Sequence, residues 1–186
     1  MFLGLLFLQQ TFFMSFLNVE IKAKCIDPEF IRNYLLSHSA EFKGIDSQTD
    51  TYFNINNGRL KLREGNIETN LIYYERADQE GPKNSNFNLV KINDTEGLKE
   101  VLVKSIGIKV IVKKKREIYY IKNVKFHIDE VEGLGSFVEI EAGNILADLS
   151  DIDLTAQCNF YLKEFKIGEG DLIDVSYSDM LLAKTK

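Results

Sequence analysis

Asn18-Val19-Glu20-Ile21-Lys22-Ala23-Lys24 places an apolar side chain between ionised or polar ones at every step. A strand sends successive side chains to opposite faces. The stretch therefore reads as a strand with Val19, Ile21 and Ala23 on one face and Glu20, Lys22 and Lys24 on the other. The same alternation recurs further along the chain. In Arg59-Leu60-Lys61-Leu62-Arg63 three cations oppose two leucines, and in Phe137-Val138-Glu139-Ile140-Glu141 two carboxylates oppose Val138 and Ile140. Val110, Val112, Lys114 and Arg116 share one parity, as do Ile72, Tyr74 and Arg76; Lys125, His127 and Asp129 oppose Val124, Phe126 and Ile128.

One such strand is an ordinary antiparallel strand with a wet face. Taken together the segments ask for more. Their polar faces are dominated by ionised groups rather than by Ser, Thr or Gln. The signs are segregated by strand, with cations on 59–63 and 113–116 and carboxylates on 139–141. Their other faces are apolar and must pack on helices or a second sheet. A sheet that curls would turn the charged faces inward. Like charges gathered there cost several kcal/mol per ion unless something neutralises them. A cation cluster calls for a polyanion and a carboxylate cluster for a divalent metal; a metal–triphosphate supplies both.

The rest of the sequence reads as a single α+β unit. Asp27 caps a helix with Pro28 at its first position and a stripe of Phe30, Ile31, Tyr34 and Leu35. Asp94 caps a second, with Leu98, Val101, Leu102 and Ile106 as its stripe and Gly107 at its end. Residues 154–165 form a third, closed by Gly168, and 176–182 a short terminal one. Strands are expected over 19–25, 49–55, 59–63, 70–76, 87–92, 109–116, 117–121, 125–131 and 136–142. Asn56-Asn57-Gly58 is a hairpin turn and Gly133-Leu134-Gly135 a tight connector.

At 186 residues the chain is long enough for one sizeable core. Its net charge of −5 argues against non-specific nucleic-acid binding and shows that the cation clusters are not a by-product of a basic protein. Cys25 and Cys158 lie far apart without metal-ligand spacing, and read as free thiols of a reducing cytoplasm. Residues 1–13 are apolar but too short to span a bilayer, and lack the basic start and cleavage site of a signal peptide. Met14 is the expected natural start, residues 1–13 a non-native or disordered extension, and 14–186 the domain. No membrane association is expected. Any outer apolar face that the helices leave uncovered would favour a homodimer.

These residues resemble the CYTH superfamily, which contains class IV adenylate cyclases, thiamine triphosphatases and inorganic triphosphatases. The resemblance runs over roughly 15–182. Glu20-Ile21-Lys22 matches the end of the family's Glu-x-Glu-x-Lys hallmark, with Asn18 in place of its first Glu. Gln48-Thr49-Asp50-Thr51-Tyr52-Phe53 looks like a segment of the cyclase-like branch. Leu60-Lys61-Leu62-Arg63, the Lys114 and Arg116 pair, His127-Ile128-Asp129 and Gly133-Leu134-Gly135-Ser136-Phe137-Val138-Glu139-Ile140-Glu141 follow in the family's order.

The resemblance implies an eight-stranded antiparallel β-barrel, a triphosphate tunnel, with flanking helices. It implies a metal-dependent enzyme acting on a small-molecule triphosphate. Cyclisation of ATP is the first reading, hydrolysis of an inorganic or organic triphosphate the second, and non-catalytic binding of nucleotide or polyphosphate a third that Asn18 keeps open. Glu20, Glu139 and Glu141 are the expected ligands of Mg²⁺ or Mn²⁺. Lys22, Lys61, Arg63, Arg76, Lys114 and Arg116 are expected to grip the phosphates. Lys22, Arg116 and Asp129 are the candidate catalytic residues, Asp129 as a metal ligand or activator of the nucleophile. His38 and His127 are read as ordinary residues, and Tyr52, Tyr73 and Tyr74 as packing aromatics.

Overall fold

The computed structural model describes residues 18–75, 83–84, 86–144 and 149–185. In chain order these form β1 (Asn18–Lys24), α1 (Pro28–Ser37), β2 (Glu41–Phe53), β3 (Arg59–Glu64), β4 (Asn70–Glu75), β5 (Lys83–Asn84), β6 (Asn86–Lys91), α2 (Thr95–Ile106), β7 (Ile108–Ile121), β8 (Val124–Val131), β9 (Gly135–Gly143), α3 (Asp151–Glu164) and α4 (Tyr177–Lys184). The strands make one antiparallel sheet in the order β5-β1-β9-β8-β7-β2-β3-β4-β6. Its two edges, β5 on β1 and β6 on β4, are consecutive in the chain. The sheet thus curls until one stretch of sequence serves both edges. With β5 and β6 occupying one strand position, it is an eight-stranded curled antiparallel sheet.

Local chemistry sets the ends of the elements. Asp27 accepts from the Phe30 N–H at 2.9 Å ahead of Pro28, and Asp94 from that of Gly97 at 3.1 Å. Ser150 and Asp153 form a reciprocal capping box at the start of α3, as Ser176 and Asp179 do for α4. Gly58 turns the β2–β3 hairpin at φ +68°, where a Cβ would lie 2.9 Å from the Tyr73 ring and the Tyr74 carbonyl.

The apolar parities face outward and form the main core. Val19, Ile21 and Ala23 of β1, Phe126 and Ile128 of β8 and Val138, Ile140 and Ala142 of β9 pack on Ile31 and Leu35 of α1 and on Leu154 and Cys158 of α3. Each fully buried aliphatic or Phe side chain there contributes about 1.5–3 kcal/mol. A second cluster lies on the concave side, where Tyr52, Ile72, Val112, Val131 and Phe137 meet Tyr177 of α4. The concave face is therefore apolar at one end, where α4 closes it, and charged along the rest.

Four local expectations change. β2 begins at Glu41, not 49; its first residues are mostly exposed and a bulge interrupts the register between Phe42 and Gly44, which hides the alternation. The two segments expected over 109–121 are one continuous strand, β7. α3 ends at Glu164, and Lys166 at φ +56°, not Gly168, makes the left-handed turn. α2 buries no residue fully, and Val101 of its expected stripe is exposed. Residues 1–17 and Arg76 lie outside the described residues. Among the described residues no helix is long and apolar enough to cross a membrane.

Candidate active site

The concave side encloses a cavity of about 230 Å³. Glu20 and Lys22 reach it from β1, Asp50 and Tyr52 from β2, and Lys61 and Arg63 from β3. Lys114 and Arg116 reach it from β7, Lys125 and His127 from β8, and Glu139 and Glu141 from β9. Glu68, Tyr74 and Tyr177 complete much of its lining. Six of the candidate residues taken from their strand parity, Lys61, Arg63, Lys114, Arg116, Glu139 and Glu141, thus meet in one place with Glu20 and Lys22. Lys113 and Lys115, of opposite parity on β7, are exposed. Arg59 shares the inward parity of β3 but pairs with Asp179 of α4 at 2.9 Å.

Register decides which charges meet. Lys22 lies opposite Glu139, and Glu139 opposite His127 on its other side. Glu141 lies opposite Lys125, Arg116 opposite Asp129, and Asp50 opposite Arg63. Opposite signs on neighbouring strands attract across the ladder. Segregation by strand in the sequence therefore becomes alternation across the sheet.

Asp50, about 1% exposed, is the centre of the basic wall. Arg63 donates to it through Nε at 2.8 Å and Nη2 at 2.9 Å, Lys61 at 3.0 Å and Lys114 at 2.9 Å. Burial pushes the Asp50 carboxyl upward, but the charges of Arg63, Lys114 and Lys61 outweigh it and hold the group well below the usual carboxylate range. Burial also lowers the Lys114 ammonium to about 7: Asp50 opposes this shift, and Arg63, Arg116 and Lys61 reinforce it. Arg63 turns its remaining amine to Glu68 at 3.0 Å, which Lys125 also contacts at 2.7 Å.

On the acidic wall, Glu139 accepts from Arg116 at 2.6 Å and lies 3.2 Å from both the Lys22 ammonium and His127 Nδ1. The same ring nitrogen lies 3.3 Å from Glu141. Burial raises both carboxyls. For Glu139 the charges of Arg116, Lys22 and His127 outweigh it; for Glu141 those of His127 and Lys125 bring the group to about 2. One donor atom each of His127, Glu139 and Glu141 lies within 4.8 Å of the others. An imidazole and two carboxylates within that span are a donor set that fits a divalent cation. Glu20 lines the same cavity, directly opposite Glu141 in register, and is not one of that trio.

Asp129 sits differently. It is fully buried, both of its oxygens are taken by the Arg116 guanidinium, and Tyr177 donates a further hydrogen bond at 2.8 Å. This arrangement aims Arg116 at Glu139 and ties α4 to the sheet. Tyr52 and Tyr74 line the cavity, with hydroxyls 3.5 Å apart, whereas Tyr73 turns outward to Glu75.

Several cavity residues escape the sequence reading. His127, read as ordinary, stands between the two carboxylates; its parity with Lys125 was the available signal. Asp50 shares parity with Gln48 and Tyr52, but a single acid among polar neighbours gives no sign that it anchors three cations. Glu68 lies in the connection between β3 and β4, where no periodicity applies, and Tyr177 enters from a helix remote in sequence.

The fold is an eight-stranded curled antiparallel sheet that turns ionised strands inward around one cavity. Residues 17–150 match the family model described as CYTH domain, and the chain belongs to the CYTH domain family. A Methanocaldococcus jannaschii protein named "Putative adenylate cyclase" is 28% identical over 174 residues, covering 88% of this chain and 98% of its own. The structure of a Pyrococcus horikoshii protein superposes with a TM-score of 0.76 at 24% identity, over 87% of this chain and 98% of that one. A Hippeastrum protein described as a "putative adenylyl cyclase" with "a dominant triphophatase activity" shares the fold at a TM-score of 0.59 and 16% identity, over 90% and 95% of the two chains.

Proposed function

We propose that the protein is a divalent-metal-dependent enzyme that acts on a triphosphate, with cyclisation of ATP to cyclic AMP and pyrophosphate as its first reading. The observation that carries this is the convergence of Lys22, Lys61, Arg63, Lys114 and Arg116 with Glu139 and Glu141 on one cavity. In phosphoryl chemistry the protein mainly positions groups and neutralises charge. Lys61, Arg63 and Lys114 would take the phosphate oxygens, releasing part of their hold on Asp50. Glu139 and Glu141, with Glu20 beside them, would hold Mg²⁺ or Mn²⁺, which supplies charge neutralisation at the phosphate oxygens. Lys22 and Arg116, which pair with Glu139, would meet the substrate from the acidic side, and Asp129 keeps Arg116 aimed. The name of the M. jannaschii relative supports cyclisation.

A second reading, hydrolysis of a triphosphate, has its own support. The tyrosine rings lining the cavity carry ammonium groups over their faces: Lys22 lies 4.2 Å from the Tyr177 centroid, and Lys61 lies 5.5 and 5.7 Å from those of Tyr52 and Tyr74. Rings engaged in this way are poor stacking platforms for a base. The same proposal includes a cytoplasmic location, supported by two buried free thiols. It also includes a homodimer, supported by the exposure of Leu89, Val90, Val101, Ile108 and Ile111.

Incubation of purified protein with ATP, tripolyphosphate or thiamine triphosphate, each with Mg²⁺ or Mn²⁺, tests the function. Cyclic AMP with pyrophosphate supports cyclisation, and orthophosphate supports hydrolysis. Tight binding without any product would refute both and leave a binding module.

A further inference from the structure

The metal-dependent reading leaves the identity of the cation open, and one residue of the acidic wall bears on it. His127 is about 1% exposed on β8, and its Nδ1 stands 3.2 Å from Glu139 Oε2 and 3.3 Å from Glu141 Oε1. Two metal–ligand bonds of about 2.1 Å at right angles hold their donor atoms about 3 Å apart. The nitrogen and each carboxylate oxygen are therefore spaced like neighbouring ligands of one six-coordinate ion. The ring's other nitrogen, Nε2, is buried and has no hydrogen-bond partner among the described residues. Nδ1 thus lies within hydrogen-bond distance of Glu139 here, and with a cation between the ring and the carboxylates a neutral ring would carry its proton on Nε2 and offer Nδ1 as a donor.

We propose that His127 Nδ1 is a ligand of the divalent cation held by Glu139 and Glu141, and that it tilts this site from Mg²⁺ toward Mn²⁺. The inference rests on the metal-dependent reading above and adds a donor to it. Mg²⁺ is a hard ion that prefers oxygen and water, whereas imidazole nitrogen suits first-row transition ions. The charge balance points the same way. Glu139 already faces Arg116 at 2.6 Å and Lys22 at 3.2 Å, which weakens its purely electrostatic hold on a dication. A neutral nitrogen donor strengthens binding of a transition ion without adding charge.

The sequence contains two histidines. His38 is exposed at the end of α1, where it stacks on Tyr34 with ring centroids 4.0 Å apart. Pulsed EPR of Mn²⁺ bound to protein carrying [¹⁵N]histidine therefore reads His127 directly. The wild-type protein and a His38→Asn control should both show histidine ¹⁵N coupling to the ion, with or without tripolyphosphate. In His127→Asn the coupling should vanish. By calorimetry that variant's preference for Mn²⁺ over Mg²⁺ should fall by about tenfold or more, with Mg²⁺ affinity nearly unchanged because the amide offers an oxygen instead. Bound Mn²⁺ without histidine coupling in the labelled wild type, which needs no variant to fold, would overturn the inference and leave the carboxylate site standing. Coupling that disappears in His38→Asn but persists in His127→Asn would overturn it as well. Absence of bound Mn²⁺ in the wild type, with and without tripolyphosphate, would overturn both the inference and the metal-dependent reading beneath it.

Discussion

The two walls of the cavity solve the same electrostatic problem with opposite means. On β2, β3 and β7 one buried carboxylate, Asp50, holds Arg63, Lys61 and Lys114. On β1, β8 and β9 two carboxylates, Glu139 and Glu141, are held by Lys22, the His127 ring and Arg116 reaching over from β7. The first wall keeps more cations than its anchor neutralises and suits an anionic guest. The second gathers its carboxylates around one nitrogen and suits a cationic one. Each wall carries its own counterions, so the apo fold does not depend on the guests to tolerate its buried charge. A guest must instead displace internal partners, which makes recognition an exchange of ion pairs.

The largest expected effect comes from the acidic wall. Replacing both Glu139 and Glu141 by Gln should lower metal-dependent turnover by about 10³-fold or more, measured with the substrate that the product assay identifies. Retention of wild-type rates would show that the metal is held elsewhere. On the basic wall, Asp50→Asn leaves three cations around a neutral amide. Removing one partner of a buried ion pair costs about 3–5 kcal/mol. Denaturant unfolding should report that loss, and tripolyphosphate should raise the variant's Tm more than the wild type's. Equal rescue of both proteins would mean that the guest does not take the place of Asp50.

A pH measurement separates the walls further. The Lys114 ammonium, at about 7 against an ordinary 10.5, loses its charge as pH rises through neutrality. Between these values the unfolded chain binds more protons than the folded one, so the cost of burying Lys114 is full below about pH 7 and is relieved toward 10.5. A polyphosphate beside the ammonium restores its charge. Binding of tripolyphosphate at pH 8 should therefore take up as much as about one proton more in the wild type than in Lys114→Met, seen as the difference in buffer-dependent enthalpy by calorimetry. The smallest effect concerns the end closed by α4. Tyr177→Phe removes a hydroxyl that donates to Asp129 and should cost about 1–1.5 kcal/mol in denaturant unfolding. A neutral result would show that Arg116 alone holds Asp129.

The sequence exposes the walls unequally. Strand parity alone reaches Lys61, Arg63, Glu139 and Glu141, which oppose apolar residues on regular strands, and Lys114 and Arg116, which share the parity of Val110 and Val112 while Lys113 and Lys115 face outward. It cannot reach partnership. Whether Lys22 meets Glu139 or a phosphate depends on the register between β1 and β9, strands separated by most of the chain. Residues outside regular strands, Glu68 in a connection and Tyr177 on α4, carry no period to betray them. Curling is similarly half-visible: apolar outer faces demand helices, but only the pairing of β5 with β1 and β6 with β4 brings the edges to one segment.

Bridging of the two walls by a metal–triphosphate is tested most directly by a crystal structure of the protein with Mn²⁺ and tripolyphosphate. It should show anomalous density for the ion at Glu139 and Glu141, and phosphate oxygens against Lys61, Arg63 and Lys114, with Asp50 giving up at least one of its lysine contacts. Tripolyphosphate bound outside the cavity, with the ion pairs of Asp50 and Glu139 intact, would contradict it.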